Sequence, residues 1–331
     1  SNTTASQNTA IGYQAAFSNT TGSNNTALGF QALFDNTSGN QNTAIGLQSL
    51  SSNTTGDRNT GVGYQSLRYL AGSTSNYNSA FGADAGMSIT AGSYNTAIGA
   101  GVLGEASGNA ITGDFNTGVG SLALYNAQGT ANANTAIGYR AGFGATTASG
   151  SVLIGYQAGD NITTASGSVF IGVDAGGNVQ TGNMNIGIGY NAFHNAATGD
   201  NNIAIGVNAG DAVTSGYNNI LIGKAAGGAI TTALQNTVIG INALDAATTG
   251  IHSNVVIGDN AMGVTTGADM CTVVGSNAGG NGNMTSDADG TVLIGRSAGS
   301  SLTSGNGNTA VGYEALDAED EGNRSTAIGY Q

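Results

Sequence analysis

One spacing governs this chain. An apolar residue followed by glycine recurs 19 times, from Ile11-Gly12 to Ile328-Gly329. Thirteen of the eighteen intervals equal the one from Gly12 to Gly29, a period of seventeen, and the other five are longer by one to four positions. Around most of these glycines stands a variant of Asn8-Thr9-Ala10-Ile11-Gly12. A fixed short period means stacked units, each burying its apolar side on its neighbours. Such a unit is too short for a helix pair, but it suits short strands joined by turns. The expected fold is all-β: a parallel β-roll, or β-solenoid, of about 19 short coils, with 1–331 as a single repeat domain. Parallel stacking at about 4.8 Å per coil would give a rod on the order of 90 Å long. The repeat runs to both ends of the sequence, so the chain reads as a segment of a longer fibrous protein.

Positions are counted from the repeat glycine as zero. Position −1 is always apolar, and −3 is always Thr, Ser, Val or Ile, which are strand-favouring shapes. Position −4 is Asn in 14 of 19 copies, and +3 is Ala in 15 of 18. Position +4 is either bulky, as at Leu33 and Phe193, or glycine, as at Gly142 and Gly176. Position −7 is commonly a further glycine, as at Gly22 and Gly199. One strand is expected at −4 to 0 and a second near +2 to +5. Like then stacks on like. Ile137, Ile154, Ile171, Ile188, Ile205 and Ile222 are expected to form a buried spine. Asn185, Asn202, Asn219 and Asn236 are expected to form an amide ladder along the axis.

From 152 to 294 position −2 is often large, as at Leu153, Phe170, Leu221 and Leu293, while −3 and −1 are also apolar. Neighbouring side chains on a strand face opposite ways, so both faces should be buried. A sister chain would cover the second face, and the bulky side chains at −2 would then lie at the chain–chain contact. A wide single-chain core holding both columns is the alternative.

Composition narrows the function classes. The net charge is −13, and the only cations are Arg58, Arg68, Arg140, Lys224, Arg296 and Arg324. That leaves no basic footprint for nucleic acid. No apolar run reaches the roughly 18 residues that a membrane span needs, so direct membrane insertion is not expected. The single Cys271 occupies a slot that is usually Asn and reads as a small buried residue.

The Asn-Thr-Ala-Ile-Gly unit with its following Ala resembles the head repeats of trimeric autotransporter adhesins and related repeats of bacteriophage tail fibres. The resemblance covers almost the whole chain, although the adhesin unit is shorter. It implies a left-handed parallel β-roll, three rolls packed about an axis as a homotrimer, and an adhesive head or fibre. It further implies an extracellular place, on a virion tail fibre or a cell surface, and attachment to a cell-surface glycan or protein receptor.

Insertions in solenoids emerge as loops, where binding usually resides. Three long intervals fall at Gly63–Gly82, Gly99–Gly120 and Gly275–Gly295. They offer Arg68 and Tyr69, the stretch 105–109, and Asp287 with Asp289. Arg68, Tyr69, Asp287 and Asp289 are the candidate receptor-binding residues. Asp57, Asp114 and Asp200, all at position −6, could supply calcium ligands, but a solvated acidic surface explains them as well. No metal and no cofactor is expected. Asn2, Asn19, Asn36 and Asn53 head Asn-Thr-Thr or Asn-Thr-Ser triplets, which are possible glycan acceptors or simply turn chemistry.

The chain does not read as an enzyme. His194 and His252 are its only histidines and lie several coils apart, and no nucleophile–base set or phosphate loop stands out. A sugar-cleaving pair of carboxylates is the residual enzymatic possibility. An ice-binding solenoid is the other rival, because such proteins stack Thr on a flat exposed face. Here the Thr column at −3 turns into Val152, Val169 and Ile186, which reads as an inward-facing column.

Overall fold

The computed structural model describes residues 4–72, 75–104, 110–246 and 250–330. Nineteen short strands occupy positions −3 to −1 of every coil, from Thr9–Ile11 to Thr326–Ile328. The chain is an all-β parallel solenoid whose one described helix is the single 3-10 turn Ser286–Ala288. By internal contacts it divides into two units, Ser1–Gly167 and Ser168–Gln331. Within each, consecutive strands pair in parallel and in strict register, as Thr26 on Thr43 and Ile186 on Ile203. The long intervals do not disturb the pairing. Thr60 still faces Ser79, Thr96 faces Thr117, and Thr272 faces Val292. The extra residues are absorbed in the turns.

The repeat glycine is required twice over. Gly172 has φ +136°, a region that L side chains rarely adopt, and a Cβ there would lie 2.4 Å from the carbonyl oxygen of Gly189. Two of the corners are built in the left-handed region. Position +2 has φ 51° at Gln31 and 50° at Asn260, and +4 has φ 53° at Leu33 and 56° at Phe193. These values rule out the second strand expected near +2 to +5. Regular extended structure ends at the repeat glycine, and the rest of the coil is turns and isolated parallel bridges, such as Tyr217 on Leu234. Backbone hydrogen bonds still run from coil to coil there: Gln31 N–H donates to Tyr13 O at 2.9 Å, and Leu33 N–H to Ser49 O at 2.9 Å. Each left-handed Leu costs about 1–2 kcal/mol in backbone conformation. Burying its side chain returns about 1.5–3 kcal/mol.

The core holds positions −2, +3, +4, −4 and −10. Leu153, Phe170, Leu221 and Leu293 at −2 are all 0 % exposed within their own chain. Position −1, by contrast, is half-buried or exposed in every coil, and Ile137 is 40 % exposed. The buried spine is therefore −2 and not −1. The bulky side chains at −2 cannot lie at a chain–chain contact, because their own coil encloses them. Where −2 is Leu or Phe, +4 is glycine. A Cβ on Gly176 would lie 2.5 Å from the Phe170 ring, and one on Gly159 would lie 2.8 Å from Leu153 Cδ2. Where −2 is small, as at Ala27, Ala44 and Gly187, Leu33, Leu50 and Phe193 fill the space from +4.

The Asn column is a ladder in the interior, as expected. Asn202 Nδ2–H donates to Asn185 Oδ1 at 3.2 Å, Asn219 to Asn202 at 2.9 Å, and Asn236 to Asn219 at 3.1 Å. Each Oδ1 also accepts the backbone N–H of the next coil's Asn, as from Asn219 N at 3.0 Å. Each Nδ2 reaches a carbonyl at position −7 of the next coil, as from Asn202 to Gly216 O at 2.8 Å. Buried amides with full partners are stable where orphaned ones are not.

Candidate functional site

In each unit the strands turn −3 and −1 outward, together with −5 and +1 on the flanking turns. Across the whole sequence −3 and −1 carry no charged residue. The flanks carry stacked rings. Tyr13 lies 5.3 Å from Phe30 and Tyr139 lies 5.4 Å from Tyr156, ring to ring, at position +1. Tyr77, Tyr94 and Phe115 stack at 4.9 and 5.2 Å at position −5, with Arg58 capping Tyr77 and donating to its hydroxyl. The outward Thr column overturns the ground on which the ice-binding rival was set aside: −3 faces out, not in.

The period-breaking residues fall in both units, Arg68 and Tyr69 in the first and Asp287 and Asp289 in the second. Arg68 lies 5.0 Å over the ring of Tyr69, and Tyr69 is exposed. Arg68 also faces Asp84, whose carboxyl burial raises above the usual range while Arg68 opposes the shift. In the second unit Asp287 is exposed on the 3-10 turn, where its N–H is capped by Thr285 Oγ1. It lines a shallow polar groove of about 430 Å³ with Asn306, Glu321 and Asn323. Asp289 points elsewhere and accepts the backbone N–H of Asp269 at 2.7 Å. The stretch 105–109 lies outside the described residues.

That bond on Asp289 belongs to a second ladder at position −6. Asn40 N–H donates to Asp57 Oδ1 at 2.6 Å, Ser93 N–H to Asp114, Asn183 N–H to Asp200, and His252 N–H to Asp269. The Asp residues at −6 are thus backbone caps between coils. Among the described residues no group of three or more His, Cys, Asp or Glu could hold a metal ion. Asn19, Asn36 and Asn53 form a third ladder, with Asn36 Nδ2–H on Asn19 Oδ1 at 2.8 Å and Asn53 on Asn36 at 2.9 Å. All three are buried, so in the folded chain they are not glycan acceptors. Asn2 lies outside the described residues.

Position +5 forms an edge column of its own. Tyr125 stacks on Phe143, Arg140 lies 4.2 Å over Phe143, and Arg140 grips Asp160 through two bonds of 3.1 Å. In the second unit His194 Nδ1 lies 3.7 Å from Asp211, whose carboxyl is raised by burial and eased by His194. Glycines in this column open notches. One, of about 400 Å³, lies over Gly263 and Gly280 and is walled by Asn242, Asn260, Asn277 and Asp245. Its signal in the sequence is the Asn at +2 beside the glycine at +5, two columns that a reading centred on the strand passes over.

No protein-family model matches the chain, and no curated protein matches it in sequence.

Proposed function

We propose that the chain is a structural and adhesive fibre segment, displayed on a virion tail fibre or a bacterial cell surface, that assembles as a homotrimer and attaches to a host or surface receptor. The observation that supports this reading is the outward pair of strand columns, −3 and −1, uncharged in all 19 coils. Solvent-facing strands ordinarily carry charges that block edge and face association. The −1 column is apolar in every coil, and a long apolar column is rarely left exposed by a monomer. A cyclic arrangement covers it with copies of itself and closes. The contact columns are thus −3 and −1, and the resemblance to trimeric adhesin heads supplies the number three.

The test is mass in solution. Sedimentation equilibrium should give three times the chain mass of 32.3 kDa. Ile188→Asp, on the outward face, should fold yet dissociate the assembly, because a buried unpaired carboxylate is expensive. A folded species of 32.3 kDa at micromolar concentration would end the trimer reading.

A second reading rests on the outward Thr column. Thr26, Thr43 and Thr60 stack in register beside Leu28, Ile45 and Val62 on an exposed face. That face would suit ice as well as a sister chain, but not both at once. Thermal hysteresis of the purified chain, absent on the fibre reading, decides between them.

A further inference from the structure

The notch over Gly263 and Gly280 is walled by three amides in line. At position +2 of the first unit, Gln14, Gln31, Gln48 and Gln65 bond to one another, amide to amide, at 3.0, 3.1 and 3.0 Å. Asn242, Asn260 and Asn277 occupy the same position in three successive coils, held by left-handed backbone at φ 51°, 50° and 56°. Among the described residues their side chains bond to no protein group. Each therefore presents two N–H donors and one acceptor oxygen at the regular spacing of parallel strands. Asp245 stands on the wall of the groove, and burial raises its carboxyl above the usual range. Val264, 43 % exposed, adds an apolar patch beside these polar groups. The groove exists because position +5 is glycine in two consecutive coils, where Tyr125 and Phe143 fill the corresponding place in the first unit. Its volume of about 400 Å³ falls in the range of ligand sites.

We propose that this groove binds a linear, uncharged oligosaccharide along the coil axis, an assignment that deepens the adhesive reading above and rests on it. Three equal amides at a fixed repeat match a ligand that repeats its own hydroxyl groups, which both donate and accept. Asp245 adds an acceptor for hydroxyl donors, and Val264 offers a surface for the C–H face of a sugar ring. The net charge of −13 and the nearby carboxylate disfavour acidic glycans. A peptide would seek a free strand edge or an apolar pocket, and the groove supplies neither.

The test uses cellohexaose, chitohexaose and maltohexaose as probes, followed by saturation-transfer NMR and calorimetry. At least one should bind the wild-type chain. Asn260→Ala should weaken that binding about fivefold through loss of hydrogen bonds. Gly263→Phe should abolish it, since the ring would fill the notch as Phe143 does in the first unit. Gly263 is not left-handed, and a Cβ there would lie 3.3 Å from Asn260 O, a tight contact that a shift of a few tenths of an ångström relieves, so the variant is expected to fold. Should it not, the double variant Asn260→Ala, Asn277→Ala carries the test at a solvent-facing site. No binding of any probe at millimolar concentration, or binding unchanged in these variants, overturns the assignment. No groove residue belongs to the −3 or −1 column, so the variants should keep the wild-type mass. A chain that binds sugar yet sediments as a monomer would sink the trimer and leave the groove standing.

Discussion

Asn202 shows how much one buried amide carries. Its Oδ1 accepts from Asn219 twice, and its Nδ2 donates to Asn185 and Gly216. Asn202→Ala strips those partners inside the core and should cost about 2–3 kcal/mol, read from thermal or urea unfolding. Asn202→Ser should cost less, because Ser168 in the same column still accepts the backbone N–H of Asn185 at 3.2 Å. Cys271 fills the column differently. Its N–H donates to Asn254 Oδ1, and its thiol reaches Asp269 O and Ala288 O at 3.3 and 3.4 Å. Burial pushes this thiol up from 9.0 to about 11, with the Asp289 and Asp269 carboxylates adding to the shift. An acid raised in the fold holds its proton better folded than unfolded. Its contribution is complete below 9.0 and is lost as pH rises toward about 11. Cys271→Ser should remove that step from the alkaline unfolding profile. The Asn column is legible in the sequence because a polar residue repeated beside apolar ones must find partners in line. The −6 caps look only like surface acid, since nothing in Ser, Asn or Asp alone says that a neighbouring coil's N–H faces it.

At the scale of the element, strand position and register are legible from the period, but the direction of the strand is not. Residues −3, −2 and −1 alternate faces, and over 152–294 all three are apolar in every coil but the two with Thr237 and Thr272 at −3. Hydrophobicity therefore cannot say which face is interior. The deciding signal is size. Position −2 ranges from glycine to phenylalanine, and a glycine at +4 faces a bulky core side chain of its own or a neighbouring coil, as Gly176 faces Phe170 and Gly142 faces Leu153, which a shared closed volume explains. The turn at +2 to +4 looks like strand because Leu carries no mark of left-handed backbone. Two consequences can be measured. Phe170→Ala should cost about 3–5 kcal/mol as a cavity in the single chain's core. Ile188→Ala, on the outward face, should cost the isolated chain only about 1 kcal/mol, because its side chain is half-buried. A larger loss at Ile188 than at Phe170 would restore −1 to the interior.

For the whole molecule, the division between inner and outer columns separates two kinds of constraint. Core positions answer to their own coil, and outward positions answer to whatever covers them. The association predicted above draws only on the second set, so Ile188→Asp should change mass with little change in melting temperature, whereas Phe170→Asp should unfold its coil.

The pairing of −2 with +4 also bears on how such a chain lengthens and shortens. Because registers repeat every coil, duplication or loss of one whole coil by unequal recombination leaves every backbone hydrogen bond replaceable. Side-chain volume is less forgiving. Phe170 occupies space left by both Gly176 and Gly187, in its own coil and the next. A crossover that separated Phe170 from Gly187, or delivered a second Phe above it, would leave a hole or a clash. Breakpoints in the gene should therefore survive more often among the Ala-and-Leu coils of 26–67 than between 170 and 193, where two coils share one ring.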